Sequence, residues 1–433
     1  MAAGPPRTAQ QENRRALWSW ALYDWANSAF FTIILTFIFA RYFSQSVVQD
    51  DIAGTNAWGN IVGVSGIVVA LLAPVLGAIA DQSGRRKPWL IAFTLLCVVG
   101  SGMLWFVEPG SGDLWFSAFW VSVGILGAEC AFIFYNAMLP DLSSPSRLGR
   151  WSGWSWGLGY VGGVTCLVVA LFGFIEGDTS WLGLDRDNLE HVRATFVLVA
   201  LWYLLFSLPA FFFIPDQPSR GLSMGQAIRS GLGQLKDSLG KVRELGHILR
   251  FLVARMLYTD GLATIFTFGG VYAAGTFGMN QTHVLQFAIA LNVTSGLGAL
   301  GFAWVDDALG GRNTVLLSLV GLGTSALAIL LVDSTLWFWI WGMVLGIFVG
   351  PLQSASRSYM ARVVPADLQT QMFGLFAFSG KATAFAGPLL VGWVTVATGS
   401  QRWGMATILV FLAAGFLIML TVPQASKVPH QQP

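Results

Sequence analysis

Apolar residues fall along this chain in blocks long enough for a helix to cross a bilayer, which takes about 20 residues. In the first half they cover residues 17–42, 58–80, 88–107, 114–139, 151–174 and 194–214. In the second half they cover 251–275, 284–305, 314–332, 336–359, 372–398 and 403–422. The pattern predicts an all-α integral membrane protein with twelve transmembrane helices. Most breaks are short and rich in turn formers, as in Val107-Glu108-Pro109-Gly110-Ser111-Gly112. The exception, 215–250, carries Arg220, Arg229, Lys236, Lys241, Arg243 and Arg250, and reads as a polar linker with a surface helix. The expected organisation is a tail over 1–16, a six-helix bundle over 17–214, a basic linker over 215–250, a second six-helix bundle over 251–422 and a tail over 423–433.

Composition narrows the class. Of 433 residues, 55% are hydrophobic and 11% charged, with a mean hydropathy of +0.64. Soluble domains carry about 25% charged residues, and a chain this poor in charge would not stay in water. An aromatic content of 14% and 50 glycines fit packed membrane helices, with aromatic belts at the interfaces and small residues at the contacts. A soluble enzyme, a nucleic-acid binder and a disordered chain are excluded, and the net charge of +2 points to no acidic partner. Cys97, Cys130 and Cys166 lie in apolar runs and read as packing residues, implying no metal site and no disulfide framework.

Lys and Arg placement predicts the orientation. With the N-terminus cytoplasmic, 18 of the 24 fall on the cytoplasmic side, Arg357 among them, and Arg41, Arg186, Arg193 and Arg402 fall opposite. The expectation is a multi-pass protein of the cytoplasmic (inner or plasma) membrane with both termini cytoplasmic. The run after Arg14-Arg15 is too long for a signal-peptide core, so it is expected to stay as the first span.

The second half repeats the first. Leu22-Tyr23-Asp24 in the first span is matched by Leu257-Tyr258-Thr259-Asp260 in the seventh, and Asp81 to Arg86 after the second by Asp307 to Arg312 after the eighth. Asn136 to Pro140 closes the fourth span as Ser358 to Pro365 closes the tenth, and Gly153 and Gly159 correspond to Gly374 and Gly380. Six plus six helices in parallel repeat, joined by a basic linker, is a secondary-transporter layout.

The stretch Gly77-Ala78-Ile79-Ala80-Asp81-Gln82-Ser83-Gly84-Arg85-Arg86-Lys87 resembles the signature loop of the major facilitator superfamily. Four other stretches sharpen the likeness: Trp20 to Ser28, Phe134 to Pro140, Ser152 to Gly163 and Phe373 to Lys381. Together they resemble the branch of autophagy-related vacuolar amino-acid effluxers and their bacterial relatives, over Trp18 to Val422. The resemblance implies a 6+6 pseudo-symmetric major facilitator fold, alternating access and a small polar cargo, amino acids being the best-known case. It implies that helices one, four, seven and ten line a cavity, that two, five, eight and eleven join the halves, and that three, six, nine and twelve face lipid. It also makes Gly77, Asp81, Gly84, Arg85 and Arg86 a conformational gate, which Asp307 and Arg312 repeat imperfectly. The related antiporter signature has Gly-Pro in the fifth span, where this chain has Gly159-Tyr160; Gly387-Pro388 occurs in the eleventh, so antiport gains no support.

A charge at bilayer depth costs at least about 2.5–3.5 kcal/mol, so those that persist have a reason. Five stand out: Asp24, Glu129, Arg255, Asp260 and Lys381. At about 1.5 Å per residue, Asp260 and Lys381 lie roughly 15 Å deep. Glu129 falls near the middle of the fourth span, and Asp24 and Arg255 fall shallower, where a charge can also snorkel or hold a gate. The charges sit on spans one, four, seven and eleven, and spans three, six, nine and twelve carry none in their apolar stretches. A midplane cavity with acids and one lysine suits an amino acid: Lys381 can meet its carboxylate while Asp24, Glu129 or Asp260 meets its ammonium. Glu129, with no cation beside it on its own helix, is the first candidate for carrying protons. The competing reading makes Lys381 a strut neutralised by Glu129 or Asp260. Asn27, Tyr135, Asn136, Tyr160 and Asn292 could add hydrogen bonds, and Trp154 and Trp156 could hold an ammonium or simply anchor the helix.

The expected activity is secondary active transport of a small polar solute, coupled to protons, by a monomer in the lipid bilayer. No enzymatic activity, metal, cofactor or nucleic acid is implied. The alternatives are a drug exporter, a porter of sugars or organic acids, and a non-transporting scaffold or receptor.

Overall fold

The computed structural model describes residues 12–110, 112–176, 182–240 and 246–425. Arg7, Lys241, Arg243 and Lys427, counted above among the cytoplasmic charges, lie outside the described residues. Among the described residues, eleven helices are long and apolar enough to cross a membrane. They are Arg14–Val47, Ala53–Ser83, Lys87–Phe106, Leu114–Leu142, Pro145–Ile175, Glu190–Phe213, Gly246–Phe277, Thr282–Leu309, Gly311–Leu331, Thr335–Val363 and Gln401–Leu420. Between the last two the chain crosses once more, in two pieces, Gln369–Ser379 and Ala386–Thr398. The protein is thus a twelve-helix membrane protein, and no strand occurs among the described residues.

The eleventh span departs from the continuous helix expected over 372–398. Its ladder stops at Ser379 and passes through turns over 380–385 before resuming. Arg255 of the seventh span is the physical cause nearest at hand. Its guanidinium donates to the Phe376 carbonyl at 2.5 Å and to Ser379 Oγ at 2.8 Å, and lies 3.6 Å from the Phe376 ring centre. An inserted donor of this kind ends or kinks an i→i−4 ladder. Within 215–250, the helix Met224–Gly240 lies against the second span, with Ala227 buried.

The proximal face is the one on which the first span starts. Twelve crossings bring the chain end back to it. Arg312, opening the ninth span, donates to the carbonyls of Leu420 and Val422, and Tyr359 Oη donates to the Pro423 carbonyl at 3.0 Å.

The halves meet through the second span against the first piece of the eleventh, and through the fifth against the eighth. Glycine makes the first seam possible. A Cβ on Gly77 would stand 2.9 Å from Gln371 Cα, and one on Gly374 would stand 2.9 Å from Pro74 Cα. Backbones this close admit only small residues. Towards the distal face Ile67, Val161, Val168, Val293, Phe385 and Leu389 on these helices are exposed. The halves are closed against each other proximally.

Gly374→Val should therefore wedge the proximal seam. With Ala137→Cys as a buried reporter near it and the three native cysteines buried, thiol labelling is expected to rise several-fold in the wedged variant. Unchanged labelling would contradict the seam as described.

Candidate functional site

Two clusters lock the proximal side. Asp81, at the end of the second span, accepts the backbone amides of Thr370 (3.0 Å) and Gln371 (2.8 Å). A carboxylate thus caps the N-terminus of a helix belonging to the other half, where orphan amides and the helix dipole favour negative charge. Gly84 holds φ +80°, a left-handed turn open to glycine at little cost, and brings the chain back after Asp81. Arg86 then reaches Asp81 at 3.4 Å, Thr370 Oγ1 at 2.7 Å and the carboxylate of Asp141. Arg85 stays outside this cluster: it is largely exposed and pairs with Asp216 at 3.2 Å.

The second half repeats the device with a change of residues. Asp307 accepts the Arg150 amide at 3.1 Å and pairs with its side chain at 3.3 Å, near the start of the fifth span. Arg312 was expected to complete this cluster and does not, because the carbonyls ending the twelfth span hold it. Arg362 takes the place, pairing with Asp306 at 2.6 Å and Asp307 at 3.6 Å. Asp141, Asp306 and Arg362 were missed in the sequence. Asp306, directly before Asp307, was the one with a readable signal.

A deeper cluster joins spans one, four, five and ten. Arg357, 1% exposed, pairs with Asp24 at 3.2 Å. It also donates to Asn136 Oδ1 (3.2 Å), Ser152 Oγ (2.9 Å), the Ser152 carbonyl (2.7 Å) and Ser155 Oγ (3.0 Å). Tyr135 Oη donates to Asp24 at 2.9 Å, Ser155 bonds Asp24 as well, and the Trp20 ring lies 5.0 Å from the guanidinium. The structure corrects the assignment of Arg357 to the cytoplasmic charges. It lies within its helix, held inward by a carboxylate 333 positions away. Asp24 is accordingly not a shallow, snorkelling charge but a buried one. Asn27, one turn on, is buried with its Nδ2 unbonded, and Tyr160 Oη accepts from Gln353 Nε2 at 3.2 Å across the halves. Asn292 bonds the Ala288 carbonyl of its own helix. Trp154 packs among Trp18, Trp151 and Trp304, whereas Trp156 lies 5.6 Å from the Arg357 guanidinium.

The third group lies at the break in the eleventh span. Lys381 Nζ pairs with Glu129 at 2.7 Å, joining the halves again, and the lysine side chain is 38% exposed. Glu129 therefore has a cation beside it, supplied by another helix, and Arg255 also lies within its electrostatic reach. Asp260 is different. It is 3% exposed and pairs with no cation among the described residues, and the Thr383 hydroxyl is the group beside its carboxylate.

Comparison with known proteins agrees with this architecture. The family described as "Vacuole effluxer Atg22 like" matches residues 60–150 and 145–432. "Uncharacterized MFS-type transporter YxiO" of Bacillus subtilis (strain 168) is 24% identical over 98% of both chains. Autophagy-related protein 22-1 of Emericella nidulans is 25% identical over 58% of this chain, which spans 46% of that protein's length. Among solved structures, the proton:xylose symporter XylE superposes with a TM-score of 0.73 over 95% of this chain and 96% of its own, at 15% identity. The human organic anion transporter MFSD10 gives 0.70 over 96% of this chain and 100% of its own, at 17% identity. These relatives are transporters rather than enzymes, and the chain belongs to the Atg22-like vacuole effluxer family, within the major facilitator superfamily of multi-pass membrane transporters.

Proposed function

We propose that the protein carries a small zwitterionic solute, an amino acid or a close chemical relative, through a midplane site built around Lys381, with Glu129 coupling transport to protons. The observation that carries this reading is the Lys381–Glu129 pair, which bridges the halves at the break in span eleven and leaves the lysine side chain 38% exposed. A solute carboxylate arriving there competes with Glu129 for Lys381. A proton on Glu129 removes its charge and releases the lysine to the solute, so solute and proton bind together. The solute ammonium is then met by the oxygens of Asn27, Tyr135, Asn136 and Tyr160, with Asp24 held for the Arg357 contact.

Transport follows by rocking. With both acids at the break neutralised, the halves close distally, and the proximal clusters around Asp81, Arg86 and Asp307 give way. Gly77 and Gly84 allow that seam to close and part, while Arg85 and Arg312 act as surface anchors. The excess of Lys and Arg on the proximal side supports a cytoplasmic proximal face, with the protein acting as a monomer in the cytoplasmic membrane.

The test is uptake into proteoliposomes from a pool of labelled amino acids, with and without a pH gradient. Accumulation driven by the gradient is the expected result. Glu129→Gln is expected to lose the gradient-driven component, by about tenfold or more for loss of one charged partner, while keeping solute exchange. An unchanged response to the gradient would remove Glu129 from coupling. A second reading, transport of organic anions, is favoured by the same reachable lysine. Uptake of organic acids in place of amino acids would select it.

A further inference from the structure

The seventh span grips both pieces of the broken eleventh. Arg255 holds the end of the first piece at Phe376 and Ser379. One turn and more along, the Asp260 carbonyl accepts from Thr264 Oγ1 at 2.7 Å, and the second piece packs against it so closely that a Cβ on Gly387 would lie 3.3 Å from that carbonyl. The Asp260 carboxylate is set between these two holds, level with the break, and Thr383 within the break faces it. Unbonded acceptors collect in the break. The carbonyls of Ser379, Gly380 and Ala382 take no backbone hydrogen bond among the described residues. The nearby cations are committed elsewhere, Arg255 to the first piece and Lys381 to Glu129.

A buried carboxylate with no cation beside it is costly unless something neutralises it. Unwound backbone carbonyls, a hydroxyl and a carboxylate are the oxygen ligands that hard cations take. One carboxylate matches one positive charge. No group of three or more His, Cys, Asp or Glu gathers among the described residues, so a divalent or transition-metal ion would leave uncompensated charge in the bilayer. We propose that Asp260, Thr383 and the carbonyls of the break in span eleven form a binding site for a monovalent cation of sodium size, distinct from the Lys381–Glu129 pair. This rests on the chain being a transporter, and not on its cargo being an amino acid.

The site has a direct test in the purified full-length protein, buffered well above the carboxylate titration range. The melting temperature is followed as NaCl replaces choline chloride at constant ionic strength. Wild type is expected to show a saturable rise of a few degrees, as any ligand of the folded state gives. Asp260→Asn, which removes the uncompensated charge, is expected to melt higher without sodium and to lose the sodium response. Thr383→Val is expected to raise the half-saturating sodium concentration by about tenfold. Equal sodium responses in wild type and Asp260→Asn, or no response in wild type, would overturn the proposal. So would a melting temperature that follows pH and ignores sodium, which would make Asp260 a proton site. Because the readout is binding, a failure of amino-acid uptake in proteoliposomes would leave this curve untouched and count only against the cargo.

Discussion

Lys381→Ala is expected to bring uptake below about one hundredth of the wild-type rate while leaving a folded, monodisperse protein. A hydrogen bond to a charged group contributes about 1.5–3 kcal/mol, and every 1.4 kcal/mol is a factor of ten. The upper end applies because, unlike Arg255, the lysine is tied to no backbone carbonyl among the described residues. Folding survives because Glu129 keeps Arg255 within electrostatic reach and is not wholly buried. Lys381→Arg makes an informative companion. It keeps the charge on a wider, planar head, so it should fold normally and transport at an intermediate rate. Full uptake by the alanine variant, measured in proteoliposomes beside its elution profile, would dissolve the proposed site and leave the pair as a strut.

Arg357→Ala carries the largest expected cost to stability, about 3–5 kcal/mol, the range for removing one partner of a buried ion pair. The substitution strands Asp24 inside the bundle and leaves Asn136, Ser152 and Ser155 without their donor. The expected result is a sharp fall in melting temperature and in yield from detergent extraction. Combining it with Asp24→Asn should recover part of the loss, since the charge left behind causes most of it. A double-mutant cycle would then report a coupling well outside the few tenths expected of independent sites. A wild-type melting curve for Arg357→Ala would show that the cluster does not hold the halves together.

The twelve crossings were legible because apolar run length is a local property that needs no partner to be read. The internal repeat was legible for the same reason, through Asp24 and Asp260 or Asp81 and Asp307. Pairing is a different matter. Arg357 sits near the end of its span, where a charge reads as a marker of the membrane face, and only the fold brings Asp24 to it. Glu129 looked free because its cation comes from span eleven, and Arg312 looked like a latch because its motif position outweighed the nearby chain end. The break in span eleven left little trace in composition, since the donor that stops the ladder, Arg255, belongs to another helix.

A chain emerging from the ribosome presents that span to the insertion machinery as one apolar run over 372–398 with a lysine inside it. The run has the length to cross, but a lysine within it opposes entry, and in the folded protein its helix survives only as pieces of 11 and 13 residues. Gln369, Thr370 and Gln371, all buried at its start, add polar groups that lipid cannot satisfy. Ten earlier spans must already stand in place to offer Glu129, Asp81 and Arg255, and the apolar twelfth must follow to pull the segment through as a hairpin. Membrane entry of span eleven is thus a late and collective step, in which biogenesis waits on tertiary structure.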